Sequence, residues 1–296
     1  IMQILIAMAV YNPNISFLKQ QILSIKQQTY KNWKCIIFDD ASRDITLSQL
    51  QALLEDDSRF EVKRQKKNLG SYHCFESLLC HIYKNETVEW VALCDQDDIW
   101  LPEKLETLIG FFKTQIQLVH SDLSLIDEEN KSICSSAWEF EGRRVSDVSV
   151  KSLLFRNVVT GCSSVFRKSL LQVALPFPEQ SSNLCFHHDH WLALCALIPT
   201  AGQGIYSYPK PLVWYRQHDK NVVGSKRTTF LQSTKKILKA SNRVQLLCKP
   251  WLDRQFLYLS FAKTYRRNTG QNIFVAEFSG NFNFGFKGTK PFSKTG

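Results

Sequence analysis

Trp90-Val91-Ala92-Leu93-Cys94-Asp95-Gln96-Asp97-Asp98-Ile99-Trp100 decides how this chain is read. Its first five residues are apolar without alternation, as in a strand buried on both faces. The run then stops in three carboxylates within four residues. Like charges so close repel, and such a set persists most readily where a cation neutralises it. A hard divalent ion that accepts carboxylate oxygens also accepts phosphate oxygens, so Mg²⁺ or Mn²⁺ beside a phosphate-bearing ligand is the chemistry implied. The ordinary alternative is a solvated acidic turn.

The same pattern precedes this stretch. Ile4-Leu5-Ile6-Ala7-Met8-Ala9-Val10 is a second continuous apolar run, broken at Asn12-Pro13. Leu18, Ile22 and Ile25 then fall at i, i+4, i+7, which is helix spacing. Trp33 to Phe38 reads as a strand that ends in Asp39-Asp40-Ala41-Ser42. Helical stripes follow at Leu47, Leu50, Leu53 and Leu54, at Phe75, Leu78, Leu79 and Ile82, and at Leu105, Leu108, Ile109 and Phe112. Short strands are expected at Phe60-Glu61-Val62 and from Leu118. Alternating strands and helices predict an α/β fold with a mostly parallel central sheet flanked by helices. Ligands bind such sheets beyond the carboxyl ends of the strands, so Asp39/Asp40 and Asp95/Asp97/Asp98 should share one cleft. The second half is less regular. Val158 to Phe166 reads as a glycine-containing loop entering a strand, and His187-His188-Asp189-His190 opens an apolar helix. Tyr208 to Tyr215 carries two prolines and is expected at a sheet edge.

The chain has 296 residues, 44% hydrophobic and 22% charged, which excludes wholesale disorder, collagen and coiled coil. It contains no run of about 18 apolar residues, so no transmembrane helix is expected. The apolar start lacks a basic flank and does not read as a signal peptide. The net charge is +10 and is unevenly placed. Residues 226–296 carry 14 Lys and Arg against 2 Asp and Glu, whereas residues 1–225 carry 23 against 25. A boundary near 225 follows, with a basic amphipathic helical extension and flexible tail over 226–296. Such a block suits nucleic acid or an anionic membrane surface. The nine cysteines include no CxxC pair and several lie in apolar runs, as small buried hydrophobes do in a reducing compartment.

Each candidate has a bland reading beside the chemical one. Asp39 and Asp40 are also what a turn or helix cap would use. The His187–His190 cluster suggests a metal site, but neighbours on a helix point about 100° apart, so Asp189 as a single general base is leaner. Helix capping by Asp189 is the alternative. His218 is a ligand or a polar loop residue, and Arg216 is a phosphate partner or nothing special. Asn68-Leu69-Gly70 is a backbone approach to a ligand or a turn. Neither GxGxxG nor GxxxxGK[ST] occurs, which removes the Rossmann dehydrogenase and P-loop readings.

Taken in order, these elements resemble the family 2 inverting glycosyltransferases of the GT-A fold, over roughly residues 3–224. The resemblance rests on Ala7 to Asn12, on Ser24-Ile25-Lys26-Gln27-Gln28-Thr29-Tyr30, on Phe38 to Ser42 followed by Asp44, and on Asp95-Gln96-Asp97 at the DXD position. Asp98 to Leu105, His188 to Ala193, and Tyr215-Arg216-Gln217-His218 with Asn221 to Gly224 are similar to the bacterial rhamnosyltransferase branch. The resemblance implies a nucleotide-sugar donor, possible dTDP-L-rhamnose included, and a saccharide or lipid-linked acceptor in envelope polysaccharide (O-antigen or capsule) synthesis. It puts Ala9, Tyr11, Asp39, Asp40, Asn68 and Asp95 on the donor nucleotide, with Asp40 facing the base. Gly161 and Cys162 would border the sugar and acceptor. Asp97 would hold Mg²⁺ or Mn²⁺, completed by His218, and Asp189 would be the general base. His188 stands where the family usually has an acidic residue. Loops Glu139–Val148 and Pro178–Phe186 are expected to set acceptor choice. The basic segment would then hold a cytoplasmic enzyme on the inner face of the membrane, and no nucleic-acid motif competes. A sugar nucleotidyltransferase would need a glycine-rich basic loop where Val10-Tyr11-Asn12-Pro13 stands. A silent nucleotide- or carbohydrate-binding module is the third reading.

Overall fold

The computed structural model describes residues 2–55, 57–143, 145–146, 148–180, 187–200, 202–219, 221 and 259–270. The helices expected within 228–258, the tail from Phe278 and most of the Pro178–Phe186 loop lie outside the described residues. The elements run β1 (Ile4–Val10), α1 (Ile15–Lys26), β2 (Trp33–Asp39), α2 (Asp44–Leu54), β3 (Phe60–Arg64), α3 (Gly70–Asn85), β4 (Trp90–Cys94) and β5 (Ile99–Trp100). There follow α4 (Lys104–Ile109), β6 (Leu118–Ile126), β7 (Ser132–Cys134), α5 (Ala137–Glu141), α6 (Val150–Phe155), β8 (Ser164–Arg167), α7 (Leu171–Ala174), α8 (His188–Leu197) and β9 (Ile205–Arg216). A last helix, α9, covers 259–269.

Among the described residues the strands form one nine-stranded sheet in the order β3-β2-β1-β4-β8-β6-β9-β5, with β7 on β6. The pairs β3·β2, β2·β1, β1·β4 and β6·β9 are parallel. β8 runs antiparallel between β4 and β6, which leaves β6 and β9 pointing the same way as β1. The mostly parallel α/β sheet is as expected.

Both faces of the sheet are covered, and β1 shows why its sequence does not alternate in polarity. Leu5 and Ala7 face one apolar layer with α3 and α8, and Ile4, Ile6 and Met8 face the other with α1, α2 and α4. Asn14 starts α1 by accepting the amides of Ser16 and Phe17, a standard N-cap. Nine of the ten residues of α8 are buried. Its outer side is closed by α9, whose Phe261 ring lies 5.0 Å from that of Trp191. Phe261 and Tyr265 belong to the main core, so this part of the segment expected as an extension packs on the domain.

One expectation is corrected. β9 does not lie at the edge: β6 pairs along its length, and β5 pairs at Val213 and Trp214. Its prolines are tolerated because the register with β6 jumps from Ser121↔Tyr208 to Asp122↔Pro211, leaving Pro209 outside the ladder.

Candidate active site

The carboxyl ends of β1, β2 and β4 open into a cleft of about 1030 Å³. It is lined by Ala9, Tyr11, Asp40, Asn68, Asp95, Asp97, Gly161, Asp189 and His218, so nine of the eleven residues given site roles from the sequence converge there, and Asp39 and the buried Cys162 do not line it. They come from seven separate stretches of the chain, brought together because the parallel strands end on one side.

At one end, Asp40 is buried and its carboxylate accepts the amides of Leu69 (2.8 Å) and Gly70 (2.9 Å), while Asn68 donates to the Asp40 carbonyl at 3.2 Å. This couples the end of β2 to the start of α3. Asp39 is not among the lining residues. Its buried carboxylate accepts the Ser42 amide at 3.2 Å and faces Arg64 at 3.6 Å, closing the turn beneath the cleft. Gln96, which the sequence reading passed over, accepts the Tyr11 amide at 2.8 Å and ties the β1 and β4 ends.

At the acidic edge, His218 Nε2 lies 2.8 Å from Asp97 Oδ2. Asp98 is wholly buried, and its Oδ1 accepts the Arg216 amide at 3.1 Å. Asp95 has its carboxyl pushed up to about 7, first by desolvation and then by the charges of Asp97 and Asp189. Behind it, buried Lys104 donates to the Cys162 carbonyl at 2.8 Å and lies 3.0 Å from the centre of the Trp100 ring. Burial draws its ammonium down to about 7. Lys104 is not among the residues given site roles from the sequence.

At the other end, Asp189 lies in the first turn of α8. Its carboxylate accepts from Gly161 N (2.9 Å), Asn157 Nδ2 (3.0 Å) and its neighbour His190 N (2.7 Å). The helix N-terminus favours an anion there. His188 stacks on Phe75 with centroids 3.9 Å apart, and burial holds its imidazole down at about 4. His190 turns inward, with Nε2 2.7 Å from the Leu153 carbonyl. His188 and His190 thus face different neighbours. Arg216 is not a phosphate partner. Its guanidinium is buried among main-chain and amide oxygens.

Two donor sets meet the test for a divalent ion differently. Asp97 and His218 offer a carboxylate oxygen and an imidazole nitrogen to the cleft, ligands that suit Mg²⁺ and, with the imidazole, Mn²⁺. Asp95, Asp98 and Cys162 also place ligand atoms within 4.8 Å of one another. There one of the three ligand atoms is a sulfur, which suits softer metals than Mg²⁺ or Mn²⁺. The Asp97 edge is the fit.

Residues 5–173 match the Glycosyl transferase family 2 domain. The chain belongs to glycosyl transferase family 2. The transferase is 25% identical over 244 residues to an uncharacterized glycosyltransferase of Haemophilus influenzae, covering 80% of this chain and 72% of that one. It is 31% identical over 128 residues to the putative glycosyltransferase EpsE of Bacillus subtilis, covering 42% and 44%. It is 28% identical over 159 residues to WfgD of Escherichia coli, a UDP-Glc:alpha-D-GlcNAc-diphosphoundecaprenol beta-1,3-glucosyltransferase, covering 53% and 57%. The chain thus spans about half the length of the latter two. Among solved structures, TarS of S. aureus in complex with UDP-GlcNAc superposes with a TM-score of 0.57 at 16% identity, over 87% of this chain and 73% of that one. PcManGT of Pyrobaculum calidifontis, a mannosyltransferase bound to GDP-Man and Mn²⁺, gives 0.51 at 15%, over 94% and 76%. These likenesses establish the GT-A-like fold. Among the described residues no helix is long and apolar enough to cross a membrane.

Proposed function

We propose that the transferase moves a sugar from a nucleoside-diphosphate donor to an acceptor hydroxyl, with inversion at the anomeric carbon. The observation that carries this reading is the shared cleft: a carboxylate held by three N–H donors at Asp189, and a carboxylate–imidazole pair at Asp97 and His218.

A carboxylate offers about four acceptor positions. Three at Asp189 are taken within the protein, and one remains for the acceptor hydroxyl. Asp189 takes that proton as the hydroxyl oxygen bonds to the anomeric carbon, and the bond to the diphosphate oxygen breaks on the opposite face. Ala9, Tyr11, Asp40 and Asn68 hold the base and Asp95 the ribose side, with Asp39 supporting the Asp40 turn from below. Gly161 borders the sugar. Asp97 and His218 hold the cation. Bound there, Mg²⁺ or Mn²⁺ would offset the negative charge left on the nucleoside diphosphate.

The resemblance of Asp98–Leu105, His188–Ala193 and Tyr215–His218 to the rhamnosyltransferase branch is the ground for proposing dTDP-L-rhamnose as donor, whereas WfgD is named for UDP-Glc, PcManGT is bound to GDP-Man and TarS to UDP-GlcNAc. A lipid-diphosphate-linked saccharide, as WfgD's name describes, is the acceptor class. The basic residues beyond 225 would hold the enzyme to the anionic inner leaflet, in O-antigen or capsule assembly.

The test is a transfer and hydrolysis screen with dTDP-rhamnose, UDP-glucose, UDP-galactose, UDP-GlcNAc and GDP-mannose, with Mn²⁺ or with EDTA. Metal-dependent release of nucleoside diphosphate from one donor, lost in Asp97→Ala and Asp189→Asn, supports the reading. No donor released or bound would refute it. Co-sedimentation with anionic vesicles, compared between the wild type and a Lys/Arg→Gln variant within 226–258, tests the membrane part.

A further inference from the structure

Arg216 ends β9 with its side chain wholly buried, yet among the described residues no carboxylate forms a salt bridge with it. Its Nε donates to the Asp97 carbonyl at 2.9 Å, its Nη1 to the Asp127 carbonyl (3.1 Å) and Asn130 Oδ1 (2.7 Å), and its Nη2 to Gln20 Oε1 (3.1 Å). One guanidinium thus joins the loop after β4, the β6–β7 turn and α1. Its planar fork supplies donors in directions a lysine cannot reproduce.

The main chain of the same residue is equally engaged. Its amide donates to Asp98 Oδ1, and its carbonyl accepts Asn221 Nδ2 at 2.8 Å. Asn221 Oδ1 in turn accepts the His218 amide at 2.6 Å. The Phe17 ring carries the guanidinium 4.3 Å from its centre and the His218 ring at 5.6 Å. Two of these connections, from Nε to the Asp97 carbonyl and from the Arg216 carbonyl through Asn221 to the His218 amide, lead to the two sides of the 2.8 Å Asp97–His218 contact.

We infer that Arg216 is a positioning residue that holds Asp97 and His218 at the spacing needed to bind a divalent cation, an inference that rests on the cation reading above. Desolvating a cation against neutral acceptors is costly, and a brace on two separate loops is a use that accounts for the arrangement. Partners outside a metal's own ligands commonly set affinity by about ten- to a hundredfold.

The test measures Mn²⁺ binding by calorimetry without donor, and nucleoside-diphosphate binding in EDTA, in the wild type, Arg216→Lys and Asn130→Gly. Asn130 adopts φ +65°, so glycine keeps that turn and removes only the Oδ1 acceptor. Expected for Arg216→Lys is Mn²⁺ binding about tenfold or more weaker, with nucleotide binding in EDTA within about threefold of wild type. Asn130→Gly should show the same selectivity at smaller size, and it carries the test if Arg216→Lys does not fold. Wild-type Mn²⁺ affinity in both variants overturns the inference alone, as does equal loss of cation and nucleotide binding, which marks a merely structural role. A wild type that binds no Mn²⁺ overturns the cation reading and this inference with it.

Discussion

The amide of Gly161 donates to Asp189 Oδ2 at 2.9 Å, and a side chain at 161 would stand 2.9 Å from His188 Nε2. The proposed base and the turn that borders the sugar are thereby one unit. His188 cannot easily retreat, because its ring is stacked on Phe75. Gly161→Ala should push the turn away from Asp189. A misplacement near 1 Å can cost about a hundredfold in rate, so we expect kcat to fall about ten- to a hundredfold while donor affinity changes little. Wild-type kcat in this variant would show that the close approach has no catalytic consequence.

Asp189→Asn keeps the shape of the side chain and removes the basic oxygen. General-base catalysis contributes about 10²–10⁴ in rate, and turnover should drop by that order with donor binding retained. Asn157→Ala removes one of the three donors on the carboxylate and should cost less, about tenfold in kcat. Calorimetry with the donor and single-turnover rates separate the two effects. A variant at 189 with undiminished turnover would remove it from the mechanism.

Replacing Asp97 by alanine should abolish Mn²⁺ stimulation, and His218→Ala should raise the Mn²⁺ concentration for half-maximal rate while leaving turnover at saturating Mn²⁺ within a few fold. The measurement is a Mn²⁺ titration of donor hydrolysis. If His218→Ala leaves the titration unchanged, the imidazole is no ligand and merely bonds Asp97.

Burial draws the imidazole of His120 down to about 3 and that of His188 to about 4. Both groups are neutral in the folded protein where the unfolded chain, with histidine near 6.5, already takes up protons. The unfolded state therefore binds more protons below about pH 6.5, and stability must fall as pH drops through that window toward 4 and 3. From pH 7 to pH 5, one such histidine costs about 2 kcal/mol. Urea unfolding of His120→Gln should show a pH 7 to pH 5 loss smaller than wild type by about that amount. Equal losses in the two proteins would contradict the burial assigned to His120.

Phe261 is 2% exposed, between Trp191 and His190. Truncating a buried phenylalanine to alanine costs about 3–5 kcal/mol, and Phe261→Ala should lower the unfolding midpoint accordingly. No change would mean that the helix over 259–269 is dispensable to the core.

Most of the sheet could be read from the chain because strands buried on both faces are apolar throughout, as in Ile4–Val10 and Trp90–Cys94. The acidic ends of β2 and β4 could be read for a related reason, since carboxylates that abruptly end an apolar run mark where the strand leaves the sheet. Asn157 and Lys104 could not, because nothing in their neighbours in sequence distinguishes them from loop or surface residues, and the bond from the Tyr11 amide to Gln96 spans 85 residues.

The order of strands and helices, the acidic strand ends and the helix-opening Asp189 are properties of local pattern, and the amino-acid sequence by itself determined them. How Asp40 is anchored to the start of α3, how close His218 comes to Asp97 and what Arg216 does were decided only by the tertiary structure. The physical reason is separation along the chain: Asp97 and His218, or Asp98 and Arg216, meet across more than a hundred residues. Contacts of that range are set by how the sheet curls and where β9 inserts, and the local spacing of residue types carries no record of either.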